Sequence, residues 1–125
     1  MGEAVAVSGY KKELGQAGEE AAVNFLTKNG YKILTRNFRC RSGEIDIIAR
    51  DGDYLVFVEV KTRSGARFGL ATEAVNYRKQ QRLQKLAAYY ILATGNNNVD
   101  CRFDVVTIQP DQNYNWNIEI IKNAF

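Results

Sequence analysis

The chain of 125 residues contains no histidine, and that absence excludes a great deal of chemistry. Ser-His and Cys-His nucleophile pairs, helix-borne H-E-x-x-H zinc sites and any histidine general base are all removed. An enzyme built from this sequence must work with carboxylates, lysine, tyrosine or a bound metal. Cysteine is nearly absent too. Its two copies, Cys40 and Cys101, lie far apart and lack the close spacing of a zinc site. Cys101 falls in an alternating apolar segment and is expected to be a small core residue. Cys40, between Arg39 and Arg41, reads as a reduced surface thiol. No apolar run approaches the ~20 residues that cross a bilayer, and no secretory h-region opens the chain. Met1-Gly2 is followed at position six by Ala6, where N-myristoylation wants Ser or Thr. The expectation is a cytoplasmic protein with no membrane partner and no organic cofactor.

Apolar residues make up 46% and charged residues 25% of the sequence, an ordinary globular balance. The net charge of +3 and pI near 8.9 are compatible with a polyanionic partner without requiring one. Residues 1–12 are weakly patterned and expected to be loose, with a single domain over 13–125. From Leu14 to Asn29, Leu14, Gly18, Ala21, Ala22, Phe25 and Leu26 form a helical stripe, and Gly30 is a stop signal. Tyr31 to Phe38 reads as a strand. Two more, Gly43 to Arg50 and Asp53 to Thr62, are joined by Asp51-Gly52, a hairpin signal. The second of these is almost continuously apolar, as a central strand buried on both faces would be. A loop from Arg63 to Leu70 and a long helix from Thr72 to Thr94 follow, with Leu83, Leu86, Ala87, Tyr90 and Ile91 on one face. Cys101 to Gln109 and Trp116 to Lys122 read as final strands. Helix, three strands, helix, two strands predicts an α/β domain with helices against a mixed sheet.

Glu59 and Lys61 are charges at the end of that most apolar strand, two apart and therefore on one face. An unpaired buried ion is costly, so their placement asks for a reason. A two-residue turn at Asp51-Gly52 would pair Ile48 with Leu55, Asp46 with Phe57 and Glu44 with Glu59. Asp46 would then lie diagonally from Glu59 at a Cα spacing of roughly 7–8 Å, on the same face. Two carboxylates so placed could share Mg²⁺ or Mn²⁺. Such a metal lowers the pKa of bound water and neutralises charge on a phosphoryl oxygen, and Lys61 could position the water or stabilise the transition state. The alternative is a strand-end ion pair of Glu59 with Lys61 and a turn-proximal Asp46. A slip of one residue would turn Asp46 to the opposite face.

The segments Gly43-Glu44-Ile45-Asp46-Ile47-Ile48-Ala49 and Phe57-Val58-Glu59-Val60-Lys61-Thr62-Arg63 resemble the PD-(D/E)xK nuclease signature. With Leu14-Gly15-Gln16-Ala17-Gly18-Glu19, Lys79 and Arg102-Phe103-Asp104-Val105-Val106, the chain from about Leu14 to Ile108 more closely resembles the YraN family of small bacterial proteins, which is similar to archaeal Holliday-junction resolvases. The resemblance implies a restriction-endonuclease-like three-layer fold, an αβββαβ core plus a C-terminal strand. It also implies Asp46 and Glu59 as metal ligands, Lys61 as the catalytic lysine and Glu19, with Glu20 as its neighbour, as the carboxylate from the first helix. Ile45 stands where the signature has its naming proline.

Arg36, Arg39 and Arg41, with Arg63 and Lys79, are candidate phosphate contacts; a solvated basic loop and the wet face of a helix are the alternatives. Gln80, Gln81 and Gln84 carry no assignment. Asp104 interrupts an apolar strand and is expected to be structural, paired with an arginine such as Arg102 or with a helix residue. Tyr89, Tyr90 and Trp116 are expected in a core or interface. Three functions compete: a Mg²⁺- or Mn²⁺-dependent DNA endonuclease, as a homodimer if the substrate is a two-fold branched junction; a nucleic-acid-binding module that does not cut; and a protein-interaction domain.

Overall fold

A computed structural model describes residues 3–62, 76–96, 98–110, 113 and 115–125, with side chains from Gly15 onward except at Pro110. The elements are α1 (Glu3–Lys28), β1 (Lys32–Cys40), β2 (Gly43–Asp51), β3 (Tyr54–Thr62), α2 (Tyr77–Thr94), β4 (Asp100–Pro110) and β5 (Trp116–Ile121). The sheet runs in the order β1-β2-β3-β4-β5, antiparallel throughout except for the parallel β3–β4 pair. A parallel pair needs a crossover, and the segment containing α2 supplies it.

Strand alternation divides the core into two. Val56 and Val58 face α1, packing with Ala22, Leu26, Ile47, Ala49, Val106 and Ile108. Leu55 and Phe57 face α2, packing with Leu83, Leu86, Ala87, Ile48 and Val105. Helix, sheet, helix is the three-layer α/β arrangement that the sequence predicts. Because β3 is buried on both faces, its apolar run has no polar alternation.

The element order agrees with expectation, but several details differ. Helix α1 begins at Glu3, although the first dozen residues were expected to be loose. Once the later turns are docked, each earlier residue adds a hydrogen bond without repeating the cost of nucleation. Helix α2 begins at Tyr77 because the Asn76 side chain caps it, accepting from the Lys79 N–H at 2.9 Å. Gly95, at φ 74°, ends it. The expected loop from Arg63 to Leu70, and positions 72–75 of the expected helix, lie outside the described residues.

The β2–β3 register also differs. Asp51 pairs with Tyr54 and Ile48 with Phe57, so the turn residues are Gly52 and Asp53. Gly52 takes the first central position at φ 60° and Asp53 has no positive φ, the sign pattern of a type II′ turn. The expected pairs of Ile48 with Leu55, Asp46 with Phe57 and Glu44 with Glu59 are therefore wrong by two residues. Cys101 is exposed, not in the core, and Cys40 is half-buried against the α2-side cluster. Tyr89 is exposed on α2, while Tyr90 and Trp116 pack against the two cores. No described helix is long and apolar enough to cross a membrane.

Candidate metal and phosphate site at a fork in the sheet

Strands β2 and β3 pair from Asp51–Tyr54 as far as Ile47–Val58. Beyond that point β2 continues beside β1 to Gly43, and β3 continues beside β4 to Thr62. The sheet forks there, and Asp46 sits at the crotch. Its Oδ2 accepts the Val60 N–H at 2.8 Å, so a side chain replaces the ladder carbonyl that the parted strand no longer offers.

The pleat changes phase at the same place. Ile45 packs on the α2 side and Ile47 on the α1 side, although residues two apart in a regular strand share a face. Across the β1–β2 ladder, Phe38 pairs with Ile45 and Arg36 with Ile47. Between them lies Asn37 at φ 53°, the left-handed region that Asn tolerates better than most residues. This kink brings Asp46 together with Glu44 and with Glu19 of α1. One carboxylate oxygen from each lies within 4.8 Å of the others. With its amide turned to donate, Asn37 Nδ2 lies 3.0 Å from Glu44 Oε1 and 3.2 Å from Glu19 Oε1. Gly15, Gln16, Arg39, Val60 and Thr62 complete a cleft of about 370 Å³ around these groups. Among the described glycines, Gly18 meets the sheet most closely. A Cβ there would collide with Thr62 Oγ1, so glycine lets α1 approach near enough for Glu19 to reach the cleft.

Three carboxylates with little compensating charge leave an electrostatic mark. Burial, then the neighbouring Glu59, pushes the Asp46 carboxyl up to about 7; Glu19 and Glu44 add to this, against the Val60 hydrogen bond.

Glu59 stands outside that trio. It is buried and bound by cations: Lys79 Nζ lies 2.7 Å and Lys61 Nζ 3.7 Å from its Oε1. Burial and then the adjacent Lys79 hold the Lys61 ammonium below the usual lysine range. Burial pulls Lys79 the same way, but Glu59, Lys61 and Asp46 together outweigh it and hold that ammonium above the usual range.

The chain of residues singled out from sequence is thus only partly gathered. Glu19 and Asp46 meet, with Glu44 as a third carboxylate. Glu59 and Lys61 form a neighbouring group, joined by Lys79. Glu20 points elsewhere, bound to Arg36 at 2.8 Å. Arg39 reaches Glu44 at 3.1 Å, on the rim of the cleft, and Arg41 is exposed. Arg63 lies outside the described residues. Asp104 is fully buried and held by Arg102 and Tyr31, the structural pairing expected of it. Sequence reasoning missed Glu44 as a member of the cluster and Asn37 altogether. An asparagine amid strand-forming residues was the available signal for a kink.

The profile of the family described as "Uncharacterised protein family UPF0102" matches residues 18–108. The chain belongs to this family. A UPF0102 protein of Symbiobacterium thermophilum is 52% identical over 114 residues, covering 91% of this chain and 97% of that one. One from Caldicellulosiruptor saccharolyticus is 50% identical over 116 residues, covering 92% and 98%. Another, from Clostridium acetobutylicum, is 49% identical over 115 residues, covering 91% and 94%. The UPF0102 match agrees with the YraN-family resemblance read from the sequence, and it spans both arms of the fork, from Gly18 to Ile108.

Proposed function

We propose that this protein is a divalent-metal-dependent nuclease that hydrolyses phosphodiester bonds in DNA. The observation that carries the reading is the fork itself. It gathers the Glu19, Glu44 and Asp46 carboxylates beside a buried Glu59 with two lysines. Opposite ligands of Mg²⁺ stand about 4.2 Å apart, so oxygens within 4.8 Å of one another need only a small closure to share the ion. The donor set is all oxygen, as Mg²⁺ or Mn²⁺ prefers.

Glu19, Glu44 and Asp46 would hold the cation, which would supply an activated water and neutralise charge on the scissile phosphate. Lys61, at the end of β3, would place its ammonium against the phosphoryl oxygens and orient the attacking water. The water oxygen bonds to phosphorus as the bond to the leaving oxygen breaks; the attacking water gives its proton to solvent, and the leaving oxygen takes one up from solvent. Arg36, Arg39, Arg41 and Arg63 are candidate backbone contacts that would set the strand in the cleft. With a branched junction as substrate, a second copy of the chain would make the second cut.

A binding module that does not cut remains a distinct reading, favoured by one observation: Glu59 is neutralised by lysines rather than turned toward the other carboxylates. Cleavage of end-labelled branched, single-stranded and duplex DNA with Mg²⁺ or Mn²⁺ separates the two. The nuclease reading expects metal-dependent products that Asp46→Asn and Glu59→Gln each reduce by at least 100-fold. Salt-sensitive binding with no cutting on any substrate would favour the binding module.

A further inference from the structure

Lys79 belongs to a different element from every other group at the fork, and it makes the shortest ion pair there. The Asn76 cap sets its position, since the Lys79 N–H is the one that the cap accepts. The side chain crosses from the first turn of α2 to Glu59 Oε1 at 2.7 Å, whereas Lys61, on the same strand as Glu59, stands at 3.7 Å. Glu59 is 8% exposed, so it has little water with which to exchange this partner. Its backbone neighbour Val60 donates to Asp46 at 2.8 Å, so Glu59 stands one residue along β3 from the group that holds Asp46, and after burial its charge is the largest influence on the Asp46 carboxyl.

We propose that Lys79 is a positioning residue that holds Glu59 away from the cation site, and that a phosphodiester, by competing for the Lys79 ammonium, releases Glu59 to complete that site. The inference rests on the metal-dependent reading above and adds an order of events to it. Without DNA, the site has three carboxylates and low affinity. With DNA bound, a phosphate oxygen replaces Glu59 as the partner of Lys79, and Glu59 becomes the fourth carboxylate. An ammonium prefers a singly charged phosphodiester only when the displaced carboxylate gains a better partner, and the cation is that partner. The device would keep a strong metal site from assembling on protein that has no substrate.

The test is Mn²⁺ binding to the full chain without DNA, by calorimetry or electron paramagnetic resonance. Lys79→Gln is expected to bind Mn²⁺ about 3- to 10-fold more tightly than wild type. Adding Glu59→Gln to Lys79→Gln should cancel the gain, and Lys79→Arg should restore wild-type affinity. In the presence of a saturating phosphorothioate oligonucleotide, the difference between wild type and Lys79→Gln should close. Unchanged or weaker binding by Lys79→Gln overturns the proposal, as does a difference that persists with the oligonucleotide. Failure of the metal reading itself looks different: Asp46→Asn and wild type would then show the same Mn²⁺ response. Lys79 lies at a partly exposed helix start, and equal thermal unfolding of the variants confirms that affinity, not folding, is being read.

Discussion

At the scale of single residues, Asp46 carries the sharpest consequence. Its carboxyl rises from an ordinary value of 3.8 to about 7, so the folded protein holds a proton there that the unfolded chain releases. The folded state therefore binds more protons between about pH 4 and pH 7, and stability falls as pH rises across that window. Above about 7 the group is ionised in both states and the full penalty is present. A divalent cation needs the ionised form, so Mn²⁺ affinity should rise with pH through about 7. Asp46→Asn keeps the shape and the acceptor for Val60 while removing the charge. In metal-free protein at about pH 8 it should raise the melting temperature by roughly 2–6 °C, a shift of about 1 kcal/mol. The same variant should show no pH-dependent response to Mn²⁺. A melting temperature that falls on substitution would mean that Asp46 is satisfied as a carboxylate without any cation.

At the scale of elements, the order of helices and strands was legible because its signals are local. Hydrophobic periodicity, Gly30 as a stop, and a glycine-containing hairpin turn each act within a few residues. The two-residue register error arose from one choice, whether Gly52 is the second or the first central turn residue, and Asp-Gly-Asp permits both. A shift of two preserves side-chain parity, so the buried faces of β3 were still read correctly. The candidate site was less legible because it depends on where that parity fails. Neither the parting of β2 from β3 nor the kink at Asn37 follows from alternation, and both decide which carboxylates meet. The fit of α1 is equally nonlocal. Gly18 is followed by Glu19, so the close approach of α1 to Thr62 sets the reach of that carboxylate. Gly18→Ala would gain about 1 kcal/mol of helix propensity but force the helix from the sheet, a cost of about 1–3 kcal/mol. Urea unfolding should show a net loss, Mn²⁺ affinity should fall with it, and Gly18→Ala with Thr62→Ala should recover both. Recovery of stability without recovery of affinity would mean that Glu19 is not placed by this contact.

At the scale of the whole molecule, the two ends of the sheet are built in opposite ways. The fork end parts β2 from β3 and leaves like charges together. The far end is clamped. Asp104, fully buried in β4, accepts from Arg102, from the Tyr31 hydroxyl at 2.8 Å and from the Asn123 N–H at 3.0 Å. Arg102 also reaches Asp51 at the hairpin, joined there by Lys122. Burial and then Asp104 hold the Tyr31 phenol protonated far above its ordinary range, while the Asp104 and Asp51 contacts keep Arg102 charged. The chain end is drawn in as well, with Ala124 N–H donating to the Phe103 carbonyl at 2.7 Å and Phe125 stacked on Phe103. One network thus ties the start of β1, the β2–β3 turn, β4 and the C-terminal segment. Removing Asp104 would strand a nearly buried guanidinium, and breaking such a pair costs about 3–5 kcal/mol. That is a large part of the 5–15 kcal/mol that holds a domain of this kind together. Asp104→Ala should therefore lower the denaturant midpoint sharply and speed amide exchange across the whole sheet. Asp104→Asn, which keeps acceptors for Tyr31 and Asn123, should lose less. In the protein that stays folded, Mn²⁺ affinity should match wild type, because the clamp touches none of the groups at the fork. A parallel loss of affinity would show that the two ends of the sheet are coupled, with the clamp holding the fork in shape.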